Sequence, residues 1–301
     1  MKQAPDIADY LSREEIAAFS RKSSGRAALT LGWQVLLTVA SFALAIVWPN
    51  PVTILAAIVL LGGRIQAFAI ITHDCAHGSF FASPALNRFV GRWVSGAAAH
   101  VPLDAYRRYH LEHHRHAGTS DDPDKWMVKS YPIPRSALRR KLLRDLTGRT
   151  GFRDLVGEIK RFTWAANGPS VLLHVLLAGT LTAIGAPWAY ALWWAARLFV
   201  FPAVNRMRQI SEHGVAPDRD HIDARYNTGT TIPRWYEALV ISPCNVNYHL
   251  EHHIFAAVPP YRLPALHRTL AERGYYAGHD CIARGFGDVV RRATRAAAAV
   301  G

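Results

Sequence analysis

Apolar residues in this chain gather into long unbroken runs instead of recurring at helical or strand period. Ala27 to Trp48 and Pro51 to Thr72 are separated only by Pro49-Asn50. At 1.5 Å per residue, about 20 apolar residues cover the roughly 30 Å hydrocarbon core of a bilayer, so each run is long enough to cross one. A second, shorter pair follows at about 170–186 and 188–204, joined at Gly185-Ala186-Pro187. The pattern predicts an all-α integral membrane protein with four transmembrane helices in two hairpins. Buried helices of a soluble protein are the alternative, but the first two runs exceed the 10 to 14 residues expected there.

The polar segments complete the picture. Residues 1–26 read as a cytosolic N-terminal lead along the membrane surface, where Ser12-Arg13-Glu14-Glu15 resembles a capping box ahead of Ile16, Ala17 and Phe19. The lead is polar and the following run too long for a signal-peptide core, so that run is expected to remain as an anchor. Residues 27–301 read as one membrane domain whose polar parts, 73–169 and 205–301, form a helical cap. No strand-rich section stands out, and 225–243 looks irregular.

Charge fixes the orientation. The 301 residues carry 35 Lys and Arg against 22 Asp and Glu, a net charge of +13, yet only Arg64 and Arg197 lie inside the four runs. Under the positive-inside rule both termini and the cap are cytosolic, and a bacterial inner membrane is the expected location. The basic surface suits anionic headgroups, and no motif points to nucleic acid. Arg64 is expected to snorkel to the interface or pair with a carboxylate. Cys75, Cys244 and Cys281 form no spaced pairs, which disfavours a disulfide framework or a cysteine-rich zinc site.

The candidate chemistry is carried by histidine. His-Leu-Glu-His-His occurs twice, at His110 to His114 and His249 to His253, and His73 and His77 add a pair at i, i+4. Positions i, i+3 and i+4 share a helical face, so each pentapeptide is expected to aim three imidazoles at one point. Neutral imidazole is the commonest ligand for borderline metals, and this many ligands implies two ions. Neither His-Glu-x-x-His nor His-x-x-Glu-His occurs, which excludes the usual zinc-protease arrangements. Glu112 and Glu251 are therefore expected behind the ligands or in salt bridges. Asp121, Asp122 and Asp124 either orient histidines or form a solvated turn. His213, on the stretch leaving the second hairpin, is a further candidate ligand.

The order His-x3-His, His-x2-His-His, His-x2-His-His, interleaved with two apolar hairpins, resembles the membrane fatty acid desaturase and hydroxylase family over about residues 27–270. The resemblance implies two iron ions, ferrous in the resting reduced state, held on the cytosolic side by His73, His77, His110, His113, His114, His249, His252 and His253. It places His213 as a ninth ligand and Gln209 where some members have an asparagine that acts through water. It further implies dioxygen as co-substrate, an acyl-lipid or acyl-thioester substrate drawn from the bilayer, and insertion of a C=C bond. No haem module or nicotinamide fingerprint stands out, so electrons are expected from a ferredoxin- or cytochrome-type donor with its reductase. A hydroxylase or carotenoid ketolase is the alternative within the enzyme class. A metal-binding or transport protein is the alternative outside it, and would place its ligands near the bilayer midplane.

Overall fold

The computed structural model describes residues 6–294; the outer ends of the lead (1–5) and of the C-terminal segment (295–301) lie outside them. Among the described residues the regular structure is helical apart from two three-residue strands, and several of the helices begin at side-chain caps. Helix α1 (Arg13–Ser20) starts at the expected capping box, with Ser12 accepting from the Glu15 amide while Glu15 accepts from that of Ser12. Helix α2 (Ser24–Val47) starts at Ser23 and helix α3 (Pro51–His77) at Asn50, whose Oδ1 accepts from the amides of Val52 and Thr53. Pro51 at the first helical position needs no amide partner there, which explains why the two apolar runs break at this point.

Helices α2 and α3 are long and apolar enough to cross a membrane. At 27 residues α3 measures about 40 Å, longer than a hydrocarbon core of about 30 Å, and His73 and His77 lie in its final turns. The third and fourth runs differ from expectation. Thr163 caps a helix that starts six residues before the predicted boundary, α7 (Trp164–Ala183). It has the length of a span, but Asn167 and His174 dilute its apolar character. The fourth run lies in a longer helical element, 190–214, interrupted by π turns at Ala196–Val200 and Ile210–Gly214.

Between the long helices lie α4 (Leu103–His116), α5 (Arg135–Leu146) and α6 (Arg149–Lys160); we call the 190–214 element α8. Helices α9 (His249–Ile254), α10 (Leu263–Glu272) and α11 (Gly285–Ala293) follow. The irregular 225–243 stretch holds the strand β1 (Thr230–Ile232), which pairs in parallel with β2 (Ile282–Arg284), Thr230 opposite Ile282. One core joins α2, α3, α7 and α8 through Phe42, Leu61, Ile65, Leu181, Leu192 and Trp193. Another packs α1 on the C-terminal cap, with Leu11, Leu250, Leu266 and Leu270 buried together and Glu15 paired to Arg273.

Arg64 departs from its expected behaviour. It neither snorkels nor meets a carboxylate: it is 1% exposed and donates to Gln34 Oε1 on α2 and to the carbonyl of Leu239. The reason is the adjoining Gly62-Gly63 pair, which lets α3 approach its neighbours closely enough to enclose the guanidinium. A Cβ at Gly63 would lie 2.9 Å from Cα of Val240 and 3.2 Å from the carbonyl oxygen of Leu239, both backbone atoms. Gly63→Ala should therefore cost about 1–3 kcal/mol by overpacking. A thermal unfolding midpoint in detergent that stays unchanged would contradict this packing.

Candidate metal centre

Four segments deliver nine imidazoles to one place. The last turns of α3 bring His73 and His77, α4 brings His110, His113 and His114, the final π turn of α8 brings His213, and α9 brings His249, His252 and His253. Their ligand atoms form two groups, each within 4.8 Å: His73, His77, His110, His114 and His252; and His113, His213, His249 and His253. The expectation that each pentapeptide serves one point is thus corrected. In each copy the i, i+4 pair stays together, because those positions project almost in line. The remaining histidine, His113 or His252, is rotated about 100° from its neighbour and crosses to the other group. Each group is therefore built from both pentapeptides, and the rings of His114 and His253 stack at 4.2 Å between the groups.

The ring nitrogens are arranged for a cation. His73 Nδ1 lies 2.9 Å from Asp74 Oδ1, His113 Nδ1 lies 2.7 Å from Asp122 Oδ1, and His213 Nδ1 lies 3.0 Å from the carbonyl of Asn227. Each acceptor holds the proton on Nδ1 and leaves the Nε2 lone pair facing inward. Those Nε2 atoms face one another: His213 to His249, His249 to His253, His110 to His114 and His114 to His252 at 3.1 Å, and His113 to His253 at 3.3 Å. A proton can bridge only two nitrogens, and Nε2 of buried His73 and of His77 has no hydrogen-bond partner. Metal–nitrogen bonds of about 2.0–2.1 Å place neighbouring ligands about 3.0–3.4 Å apart, so the spacing fits shared cations.

Burial keeps the rings neutral and able to bind metal. It is the main cause that lowers His110, His249, His252 and His253 well below the usual histidine range, with neighbouring imidazoles adding to it. The same causes lower His114 to about 2 and His213 to about 3.

The carboxylates divide sharply. Asp122 reaches His113, and Asp124 stands 3.8 Å from the same Nδ1 while accepting from Tyr109; Asp121 takes no part. Glu112 points away, half-exposed and bound to Arg115 and near His116, so its position matches the salt-bridge alternative. Glu251 is fully buried but faces outward from the metal groups, accepting from Thr230, Tyr276 and His267, and so fixes α9 to the cap. Gln209 lines a cavity of about 260 Å³ beside His110, His113, His213 and His249, which Tyr106 and Phe201 also line. Sequence reasoning missed Asp74, Glu212 and Asn227. Buried Glu212 accepts from Arg208 and stands 3.5 Å from His249 Nδ1, too far for a good hydrogen bond but near enough to orient the ring. Asp74 and Glu212 each adjoin a candidate ligand in sequence, the one signal that could have singled them out.

The fatty acid desaturase family model matches residues 47–285. The chain belongs to the fatty acid desaturase family. Among relatives of this desaturase-family protein, the sn-1 oleoyl-lipid 12-desaturase of Anabaena variabilis is 24% identical over 91% of the chain and 83% of its own length. The enzyme of that name from Synechocystis sp. is 26% identical over 70% of the chain and 66% of its own length. A beta-carotene ketolase of Paracoccus sp. (strain PC1) is 27% identical over 66% of the chain and 73% of its own length.

Two outcomes are expected of this desaturase-family site. His113→Ala and His252→Ala, one from each group, should each reduce bound metal per chain by about one equivalent, whereas Glu112→Ala leaves it unchanged; elemental analysis decides. The second concerns acid. His213 is lowered from 6.5 to about 3, so between those values the unfolded chain binds a proton that the folded chain refuses. That stability is present above 6.5 and declines as pH falls toward 3. The metal-free protein should therefore melt at progressively lower temperature from pH 7 to pH 5, and a flat profile would contradict the neutral, buried cluster.

Proposed function

We propose that this protein is an oxygen-dependent membrane desaturase that inserts a C=C bond into a fatty acyl chain. The observation that carries this reading is the sorting of nine inward-facing imidazoles into a group of five and a group of four. All donors are neutral nitrogens, a set suited to a redox-active metal, and family membership favours iron. His73, His77, His110, His114 and His252 would hold one ion and His113, His213, His249 and His253 the other. Two such ions would supply dioxygen activation strong enough to remove hydrogen from an unactivated methylene.

The protein's own groups do the rest. Asp74, Asp122 and the Asn227 carbonyl hold the Nδ1 protons and fix the ligand rings. The cavity beside the centre, with Val101, Tyr106, Met127 and Phe201 in its wall, receives the acyl chain and shields its reacting carbons from water. The four-span arrangement follows the same logic, with α7 and α8 forming the second hairpin and both termini on the cytosolic side with the histidines. A separate ferredoxin- or cytochrome-type protein supplies electrons, and the net charge of +13 favours an acidic donor.

The similarity to a beta-carotene ketolase supports a second reading, oxygen insertion on a carotenoid or acyl substrate. Mass spectrometry of total lipids from cells with and without the gene separates the two. Loss of two hydrogens from an acyl chain with no gain of oxygen is the expected change; gain of oxygen, alone as in hydroxylation or together with loss of two hydrogens as in ketone formation, would replace desaturation by the second reading.

A further inference from the structure

Away from the histidine groups, α6, α7 and α8 enclose a second cavity of about 360 Å³. Its rim is apolar and outward-facing: Val175 on α7 is 62% exposed and Ile159 on α6 is 63% exposed. Its floor is a polar chain that the metal centre does not use. Tyr190 Oη lies 3.0 Å from His174 Nδ1, His174 Nε2 lies 2.8 Å from His100 Nε2, and His100 Nδ1 lies 3.3 Å from Glu158 Oε2. Glu158 is held in turn by buried Arg197. His100 joins this chain with a left-handed backbone, φ 57°, which a residue other than glycine adopts at a cost and keeps where its surroundings demand it.

The ion pair sets the direction of every hydrogen bond. Glu158, beside Arg197, lies 3.3 Å from His100 Nδ1, and its negative charge favours the His100 proton on that nitrogen, which leaves a lone pair at Nε2. His174 must then donate from Nε2, which leaves its Nδ1 to accept from the Tyr190 hydroxyl. With its hydrogen so engaged, Tyr190 offers only oxygen lone pairs to the cavity, and a group that bonds to it must be a donor.

The lining narrows the donor further. Leu155, Ile159, Val171 and Val175 make the cavity wall apolar, and Glu158 is already paired with Arg197. A charged headgroup would lose its hydration against such a wall, whereas a neutral hydroxyl on an apolar chain is tolerated when its hydrogen bond is made. We propose that this cavity is a binding site for a bilayer-borne apolar chain bearing a neutral hydroxyl, which donates to Tyr190. It rests on the reading of α7 and α8 as membrane-spanning. Val101, next to His100, lines the cavity beside the metal groups, so the two sites flank one backbone segment.

The test uses the full chain in lipid nanodiscs and two photoreactive probes of equal length, a long-chain primary alcohol and a methyl ketone, each with a diazirine near its oxygen. The alcohol should label α7 and α8 at about tenfold lower concentration than the ketone, which can only accept. Tyr190→Phe should abolish that preference without changing metal content. Equal labelling by both probes, a preference that survives Tyr190→Phe, or labelling elsewhere overturns the site. The probe comparison on the unsubstituted protein needs no variant and stands if Tyr190→Phe is unstable. Ile184→Cys, at the exposed end of α7, tests the membrane reading separately. Its reaction with an impermeant maleimide on intact cells supports the hairpin; protection there overturns the hairpin and the site with it.

Discussion

Inward-facing Nε2 atoms about 3 Å apart cannot all be satisfied by protons, and this constraint organises the rest of the structure. Several rings already carry their proton on Nδ1, where Asp74, Asp122 and the Asn227 carbonyl accept it. Their lone pairs are left to converge in a buried space, an arrangement that is unfavourable for the bare protein and favourable around metal ions. The folding energy of the surrounding helices holds it in place, so the centre is preorganised by its scaffold. Family membership and this electrostatics point in the same direction, toward an oxidising enzyme.

The scaffold meets the demand through close approach. Gly62-Gly63 lets α3 pack against α8 and the 239–240 backbone, and the enclosed Arg64 ties α2, α3 and that backbone together. One helix therefore both joins the membrane-facing core and carries His73 and His77. On the opposite side, Glu251 fastens the six-residue α9 to the cap through Thr230, His267 and Tyr276. A helix this short would not hold three ligands by its own backbone bonds, because an isolated single turn and a half is unstable.

Glu251 and Glu112 occupy the same position in identical pentapeptides yet end in opposite settings. One is a fully buried anchor and the other a half-exposed partner of Arg115. The difference comes from what packs around α9 and α4, so a repeat in sequence does not make a repeat in role. The same holds for polar residues in the apolar runs. His174 and Arg197, isolated within their runs, belong to one directed chain of hydrogen bonds that α6, α7 and α8 assemble.

What the sequence determined by itself was set by local rules. The apolar runs and the Asn50-Pro51 break specified α2 and α3, because length and capping are written in consecutive residues. The i, i+4 spacing specified which histidines stay paired, since helical geometry alone aligns them. The caps at Ser23 and Thr163 lie outside the apolar pattern, and only the structure shows that these helices begin earlier than the runs suggest. Tertiary structure decided how the histidines divide, since which group His113 and His252 join depends on the crossing of α4 and α9. It also decided which carboxylates reach a ring: Asp122 and Glu212 approach histidines from other segments or other turns, and only the packed chain brings those atoms within a few ångströms.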